Sequence, residues 1–259
     1  MIEGLRILEL NHVSKRFGGI SAVSDFSLDV EEGQIVGIIG PNGSGKTTLF
    51  NLIFGLYRPT GSIVFEGSRL DGLPPHRILA RRIARTFQNI RLFEDMLVIE
   101  NLLVGMHAHL SAGILASCLK TPAFLNEERR ARDEALDLLR FFPELSGTEY
   151  EVARNLSYAN RRRVEILRAM ASRPKLLLLD EPAAGMNATE ARKLLADIRR
   201  IRDLGVTILI IEHNMSVMAG VTDRVVAMDH GEKVAEGSFE EVSRHPRVLA
   251  SYLGTEAAC

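Results

Sequence analysis

The segment Gly40-Pro41-Asn42-Gly43-Ser44-Gly45-Lys46-Thr47 follows the apolar run Ile35-Val36-Gly37-Ile38-Ile39 and precedes a helix-compatible stretch from Thr48 to Gly55. The GxxxxGK[ST] spacing works only where a strand delivers the loop and a helix leaves it. Glycines let successive backbone N–H groups turn inward around a phosphate. Lys46 brings a point charge to the β and γ oxygens, and the Thr47 hydroxyl is a ligand for Mg²⁺. The amino terminus of the following helix, opened by Thr48, adds its dipole. Such a loop confines the chain to α/β architectures with a ligand edge at the carboxyl ends of parallel strands.

The rest of the hydrophobic pattern agrees. Leu176-Leu177-Leu178-Leu179 and Val206-Thr207-Ile208-Leu209-Ile210-Ile211 are continuous apolar runs, as expected of parallel strands covered on both faces. Between them Thr189 is placed to cap a helix carrying Leu194, Leu195, Ile198 and Ile201, so strand, helix and strand form a parallel crossover. Leu5, Ile7 and Leu10, then Phe26, Leu28 and Val30, are spaced for short strands. Ser62-Ile63-Val64-Phe65 before Glu66-Gly67 predicts another, antiparallel one. From about Ile99 to Met170 the strand pattern stops, and Ala131, Ala135, Leu138, Leu139 and Phe142 recur at helical spacing over Asn126 to Phe142. Val225 to Met228 predicts a last strand, followed by two short helices up to Leu253.

With 32 Lys and Arg against 33 Asp and Glu, the net charge of -1 supplies no global field toward nucleic acid or lipid headgroups. Arg161-Arg162-Arg163 is a single turn of basic residues and is read as a solvated or phosphate-facing surface; no nucleic-acid partner is expected. Two cysteines, Cys118 and Cys259, in no CxxC pairing exclude a disulfide framework and the usual zinc spacings. The amino terminus lacks a basic stretch followed by an apolar run. The most apolar segment, Leu110 to Leu119, is shorter than the roughly 18 residues of a spanning helix.

Three further positions carry chemistry. Asp180-Glu181-Pro182 places two carboxylates at the end of a buried strand: Asp180 to hold Mg²⁺ through water, Glu181 to polarise the water that attacks a γ-phosphate. Ile211-Glu212-His213 ends the next strand at the same edge, and His213 can contact the γ-phosphate. Gln88 ends a strand candidate after Ile83-Ala84-Arg85-Thr86-Phe87 and offers an amide oxygen to Mg²⁺ and water.

In this order, from about Ile7 to Leu253, these residues resemble the ATP-binding cassette (ABC) ATPases. The resemblance implies that Phe17 stacks on adenine and that Gln88 is the Q-loop glutamine. Leu156-Ser157-Tyr158-Ala159-Asn160 then corresponds to the signature segment, Asp180-Glu181 to the Walker B end, Ala183 to Asn187 to the D-loop, and His213 to the switch histidine. The phrases Arg85 to Phe93, Asp180 to Asn187 and Ala250-Ser251-Tyr252-Leu253-Gly254 resemble the ATPase subunits of bacterial branched-chain amino-acid importers, a group whose relatives also carry urea or other amides.

The implied fold is an α/β P-loop NTPase core with a parallel sheet, an antiparallel β subdomain and a helical subdomain. One cassette domain over 5–253 would have 1–88 and 161–253 as core plus β subdomain and 89–160 as helical subdomain. The implied ligands are ATP and Mg²⁺, with Thr47, Gln88 and Asp180 at the metal. The implied partners are hydrophobic permease subunits, a second ABC ATPase subunit (identical or different) and, indirectly, a secreted solute-binding protein. The implied place is the cytoplasmic face of the bacterial inner membrane. Phe87, Leu92 and Phe93 are the expected wall of a groove for a permease helix. A soluble cassette of DNA repair or translation is the alternative. The signature departs from LSGGQ or LSYGQ at Ala159 and Asn160. The resemblance implies that Ser157 and the backbone here bind the γ-phosphate held by the opposing subunit, so a Cβ at Ala159 is expected to crowd it and slow turnover.

Overall fold

Two long strands, β1 (Arg6–Phe17) and β2 (Ile20–Glu31), pair antiparallel through the two-residue turn Gly18-Gly19. They are longer than the short strands expected. Register shifts between Leu10 and Val13 let both ends keep apolar residues such as Leu8, Leu10 and Val13 buried. The structure is a computed structural model that describes residues 5–109, 119–213 and 218–256. Cys118, Cys259 and Leu110 to Cys118 of the apolar stretch lie outside the described residues.

β3 (Ile35–Ile39) is buried throughout and runs into the glycine loop and α1 (Lys46–Ile53). β4 (Thr60–Phe65) and the short β5 (Ser68–Arg69) complete an antiparallel sheet in the order β2-β1-β4-β5. α2 (Pro75–Ala80) leads to β6 (Ile83–Arg85). The chain then leaves for a run of helices: α3 (Val98–Met106), α4 (Pro122–Leu139) and α5 (Tyr158–Met170). It returns as β7 (Leu176–Asp180), α6 (Ala188–Asp203), β8 (Thr207–Ile211), β9 (Arg224–Asp229) and β10 (Glu232–Gly237), and ends in α7 (Phe239–Ser243) and α8 (Pro246–Glu256).

Contacts divide the chain into two compact units, Met1–Arg85 with Lys175–Cys259, and Thr86–Pro174. The first holds both sheets. Its second sheet runs β10-β9-β3-β8-β7-β6, with β9, β3, β8, β7 and β6 mutually parallel and β10 antiparallel on the edge. The expected strands are present, and β10 is an addition: Lys233, Val234, Ala235 and Glu236 lack the apolar run of a central strand because they form an edge. Phe26 of β2, Phe50 of α1 and Phe65 of β4 are fully buried in a core shared with Ile38, Leu178, Leu209 and Val226 of the parallel sheet. The helix between β7 and β8 begins at Ala188. Asn187, not Thr189, is its cap: the Asn187 Oδ1 accepts from the N–H groups of Thr189 and Glu190, both at 3.0 Å, and Glu190 accepts back from Asn187 N–H.

The second unit is wider than the 89–160 expected, because α5 stays with it: α3 packs on both α4 and α5. At Gly105 of α3 a Cβ would stand 2.2 Å from the Arg168 carbonyl oxygen, so glycine sets this close helix approach. α4 begins four residues before the expected Asn126, at Pro122, where Thr121 Oγ1 accepts from Phe124 N–H at 3.3 Å. The basic turn Arg161-Arg162-Arg163 is not a solvated surface. Arg162 is fully buried and Arg163 nearly so, on the inner face of α5. Arg162 donates to the carbonyl oxygens of Phe87 (2.6 Å) and Gln88 (2.7 Å) and to Glu165 Oε2 (2.7 Å), while Glu165 Oε1 accepts from Arg91 N–H at 3.1 Å. One buried ion pair therefore fastens residues 87–91 to α5.

Removing one partner of a buried pair strands the other charge. Arg162→Met is expected to destabilise the chain by about 3–5 kcal/mol, and Arg162→Met with Glu165→Leu to recover part of that loss. Denaturant unfolding of both variants checks this, and a single-variant loss below about 1 kcal/mol, the value of an exposed pair, contradicts it.

Candidate active site

The parallel register decides what meets at the carboxyl edge of the sheet. Ile38 of β3 and Asp180 of β7 both stand opposite Ile211 of β8. Gly40, Glu181 and Glu212 consequently emerge within two residues of one level, and the glycine loop, the acidic pair and His213 share one edge of the first unit.

The loop is built tightly. Gly40 has φ 152°, and a Cβ there would meet the Met228 carbonyl oxygen at 2.1 Å; Gly45 has φ 103°, and a Cβ would meet the Ala22 carbonyl oxygen at 2.2 Å. Gly45 stands at the N-cap of α1, where among the described residues no side chain caps the helix and no acidic residue sits in the first turn. Its first N–H groups are thus available to an anion. Pro41 is half-buried, Asn42 and Gly43 are exposed at the loop tip, Ser44 is buried, Thr47 is exposed and Thr48 half-buried. Lys46 is buried and its Nζ donates to the carbonyl oxygens of Gly40 (2.7 Å) and Pro41 (2.8 Å) and to Ser44 Oγ (3.3 Å). Burial lowers the Lys46 pKa from the ordinary lysine value, and the neighbouring charges of Glu181 and Asp180 act in the opposite direction.

Asp180 is 1% exposed at the end of β7. Its Oδ2 accepts from Arg85 Nη2 at 2.8 Å, and Arg85 Nη1 donates to Asn51 Oδ1 of α1 at 2.6 Å. Arg85 thereby ties the acidic strand end to the helix that leaves the phosphate loop. Glu181 follows with φ 46°, its N–H donating to the Ile211 carbonyl oxygen at 2.9 Å. His213 is exposed, with Nδ1 3.7 Å from Glu181 Oε2. At the far end of the site Phe17 is 42% exposed rather than a core residue, packed edge-on against Tyr57 with centroids 5.0 Å apart, and Lys15 Nζ lies 5.3 Å from its ring centroid. Gly40, Lys46, Asp180, Glu181 and His213 are thus brought together in one unit.

Gln88, Ser157 and Ala159 belong to the other unit. Gln88 is exposed, its backbone held by Arg162. Ser157 is exposed and caps α5, its Oγ accepting from Asn160 N–H at 3.3 Å. Ala159 is 4% exposed, on the face of α5 shared by Arg162, Arg163 and Ile166. Asn160 donates through Nδ2 to the Glu144 carbonyl oxygen (3.2 Å) and accepts from Arg163 Nη1 (3.1 Å).

Residue patterns did not single out Arg85, Tyr57, Glu212 or Tyr252 for the site. Arg85 carries a signal of a kind: an arginine in a strand bound for the core needs a buried anion, and Asp180 is the acid on the neighbouring strand. Tyr252 of α8 is half-buried beside Gly40 of the loop, a long-range proximity that spacing cannot show.

Residues 23–184 match the ABC transporter family, and residues 232–258 match the segment of the branched-chain amino acid ATP-binding cassette transporters. The chain is 44% identical over 252 residues to the high-affinity branched-chain amino acid transport ATP-binding protein BraF of Pseudomonas aeruginosa, covering 96% of this chain and 98% of that one. It is 43% identical over 253 residues to the corresponding protein LivG of Escherichia coli, with the same coverage. Among solved structures, the ADP conformation of an ATP-binding cassette of an ABC transporter is 32% identical with a TM-score of 0.84, over 96% of this chain and 99% of that one. Identity along almost the whole length, on a fold that assembles the phosphate loop, the acidic strand end and the histidine at one edge, shows that the chain belongs to the nucleotide-binding, ATP-hydrolysing cassettes of the ABC transporter family.

Proposed function

We propose that this chain is the ATP-hydrolysing subunit of an importer for branched-chain amino acids, held at the cytoplasmic face of a bacterial inner membrane by permease subunits. The observation that carries the reading is the common edge of β3, β7 and β8, with Lys46, Asp180, Glu181 and His213 on it. The solute class follows the names of BraF and LivG, which favour branched-chain amino acids over the urea or amide alternative. Among the described residues no helix is long and apolar enough to cross a membrane, consistent with separate permease subunits.

In this reading Phe17 stacks on adenine with Tyr57 behind it. The N–H groups of Gly40 to Thr48 surround the phosphates, and Lys46 exchanges the carbonyl oxygens of Gly40 and Pro41 for phosphate oxygens, a trade of a neutral acceptor for a charged one. The Thr47 hydroxyl and the Asp180 carboxylate of the first unit are hard oxygen donors of the kind Mg²⁺ takes, so these residues fit that ion, and the Gln88 amide of the other unit carries an oxygen of the same kind. When bound, Mg²⁺ neutralises charge on the phosphates. Glu181 accepts a hydrogen bond from the attacking water, and His213 holds that water and the γ-phosphate from the other side. Ser157 and the first N–H groups of α5 are exposed at a helix start, where they can meet a nucleotide carried by a second cassette subunit. A secreted solute-binding protein would deliver the solute to the permease. Phe93 is 49% exposed, and Phe87 and Leu92 are half-buried, which suits them to a permease helix.

The expected slowing by Ala159 requires its methyl to face an opposing nucleotide. Because Ala159 is buried with Arg162 and Arg163, we read it as a packing residue and Asn160 as the group that orders Glu144 and Arg163. Turnover is then set by Glu181 and His213 rather than by the departure from glycine.

Three measurements test this. Lys46→Ala removes a charge-assisted phosphate contact worth roughly 1.5 to 3 kcal/mol, so nucleotide affinity should fall about 10- to 100-fold in a titration; unchanged affinity defeats the loop assignment. Glu181→Gln keeps size but loses the base, so steady-state turnover should fall about 100-fold or more with ATP binding retained. Normal turnover by that variant would remove Glu181 from the chemistry. Ala159→Gly should leave turnover within about twofold while lowering stability by up to about 1 kcal/mol, the helix cost of glycine; a several-fold gain in rate would restore the crowding expectation.

A further inference from the structure

Glu212 is a carboxylate that the mechanism above leaves without a role, yet it is 1% exposed and directly precedes His213 in the chain. It is the first residue beyond β8, its own N–H reaching the Ile38 carbonyl oxygen of β3 at 3.4 Å. Its Oε1 accepts from the N–H of Ala183 at 2.9 Å.

In Glu181-Pro182-Ala183 proline has no N–H, so the segment offers only the donors of Glu181 and Ala183. Both are taken by the end of β8: the first by the Ile211 carbonyl oxygen, the second by Glu212. Glu181 itself lies at φ 46°, a left-handed conformation that a residue with a Cβ adopts only where its surroundings hold it. Glu212 is also joined directly to His213, whose ring stands 3.7 Å from Glu181. Burial raises the pKa of Glu212 above the ordinary carboxylate value and the charge of Glu181 adds to this, while the hydrogen bond from Ala183 and the neighbouring His213 pull the other way. A buried acid beside a second acid is a costly arrangement for packing alone.

We propose that Glu212 is a positioning residue for ATP hydrolysis, its buried carboxylate holding the N–H of Ala183 while its own backbone carries His213, so that the Glu181 carboxylate and the His213 imidazole are held at one spacing. The inference rests on the reading of Glu181 and His213 as the hydrolytic pair. It requires that Glu212 affect the rate of the chemical step and leave nucleotide binding at Lys46 and Phe17 alone. Glutamine at 212 keeps an oxygen acceptor for the Ala183 N–H at the cost of the charge; leucine keeps no acceptor.

The test is steady-state ATPase activity of the full chain at saturating Mg-ATP, with nucleotide affinity measured by titration and the unfolding temperature recorded for wild type, Glu212→Gln, Glu212→Leu and Glu181→Gln. Misplacing a reacting group by about 1 Å costs up to about 100-fold, so kcat should fall about 10- to 100-fold in Glu212→Leu and less in Glu212→Gln, with affinity within about twofold of wild type in both. If Glu212→Leu does not fold, the same split between kcat and affinity in Glu212→Gln decides. Unchanged kcat in a folded variant overturns the inference, as does a kcat loss matched by an equal loss of affinity and a lowered unfolding temperature. Wild-type turnover by Glu181→Gln instead overturns the reading on which it rests, and the two failures are thereby told apart.

Discussion

In-register parallel pairing of β3, β8 and β7 is the constraint on which the site depends. Backbone hydrogen bonds set Ile211 opposite both Ile38 and Asp180, and everything chemical then emerges at one level. All three strands are buried on both faces, so a slip of one residue would still bury apolar side chains, and hydrophobicity alone does not select the register. What selects it lies at the strand ends. Asp223 accepts from Ile35 N–H at 2.7 Å, Thr207 Oγ1 accepts from Gly33 N–H at 3.0 Å, and Arg85 meets Asp180 at 2.8 Å. Each would be broken by a slip, leaving a buried polar group unsatisfied.

Charge inside both units is used in the same manner. Arg85 with Asp180 and Asn51 in the first, and Arg162 with Glu165 in the second, are desolvated pairs whose net stabilisation is small but whose disruption is expensive. Such pairs suit positions where geometry matters more than stability. Arg85 joins the acidic strand end to α1, and Arg162 holds the backbone of Phe87 and Gln88. Lys46, buried among loop carbonyl oxygens, is a third case, with its compensation from Asp180 and Glu181 at longer range.

The helical unit shows how a local sequence departure is absorbed. Ala159 and Asn160 stand where the resembling family places glycine and glutamine. In this chain the alanine is covered on the inner face of α5, and the asparagine is bonded to Glu144 and Arg163. Both residues are spent on the interior of their own unit. Ser157, which keeps its expected identity, remains exposed at the helix start with its hydroxyl on Asn160 N–H. Ser157 and Tyr158, which match the family, are exposed, while the departing Ala159 is buried and Asn160 is half-buried beneath them.

The amino-acid sequence by itself determined the phosphate loop, the buried strands β3, β7 and β8, and the order of Gln88, Ser157, Asp180, Glu181 and His213, because these depend on neighbours within a few residues. Spacing also located α4 and α6 to within a few positions; it misplaced the cap of α6 because Asn187 and Thr189 are both competent and only the path of the preceding turn chooses between them. The tertiary structure decided whatever depends on residues far apart in the chain. Arg162 and Arg163 read as a surface because three adjacent arginines are soluble in any local view, and they are buried because residues 87 and 88 and Glu144 supply partners more than ten positions away. Arg85 on Asp180 spans 95 residues, and Glu212 on Ala183 spans 29. A carboxylate that bonds a backbone N–H on a distant loop leaves no periodicity in the sequence, so its place was set by the fold alone.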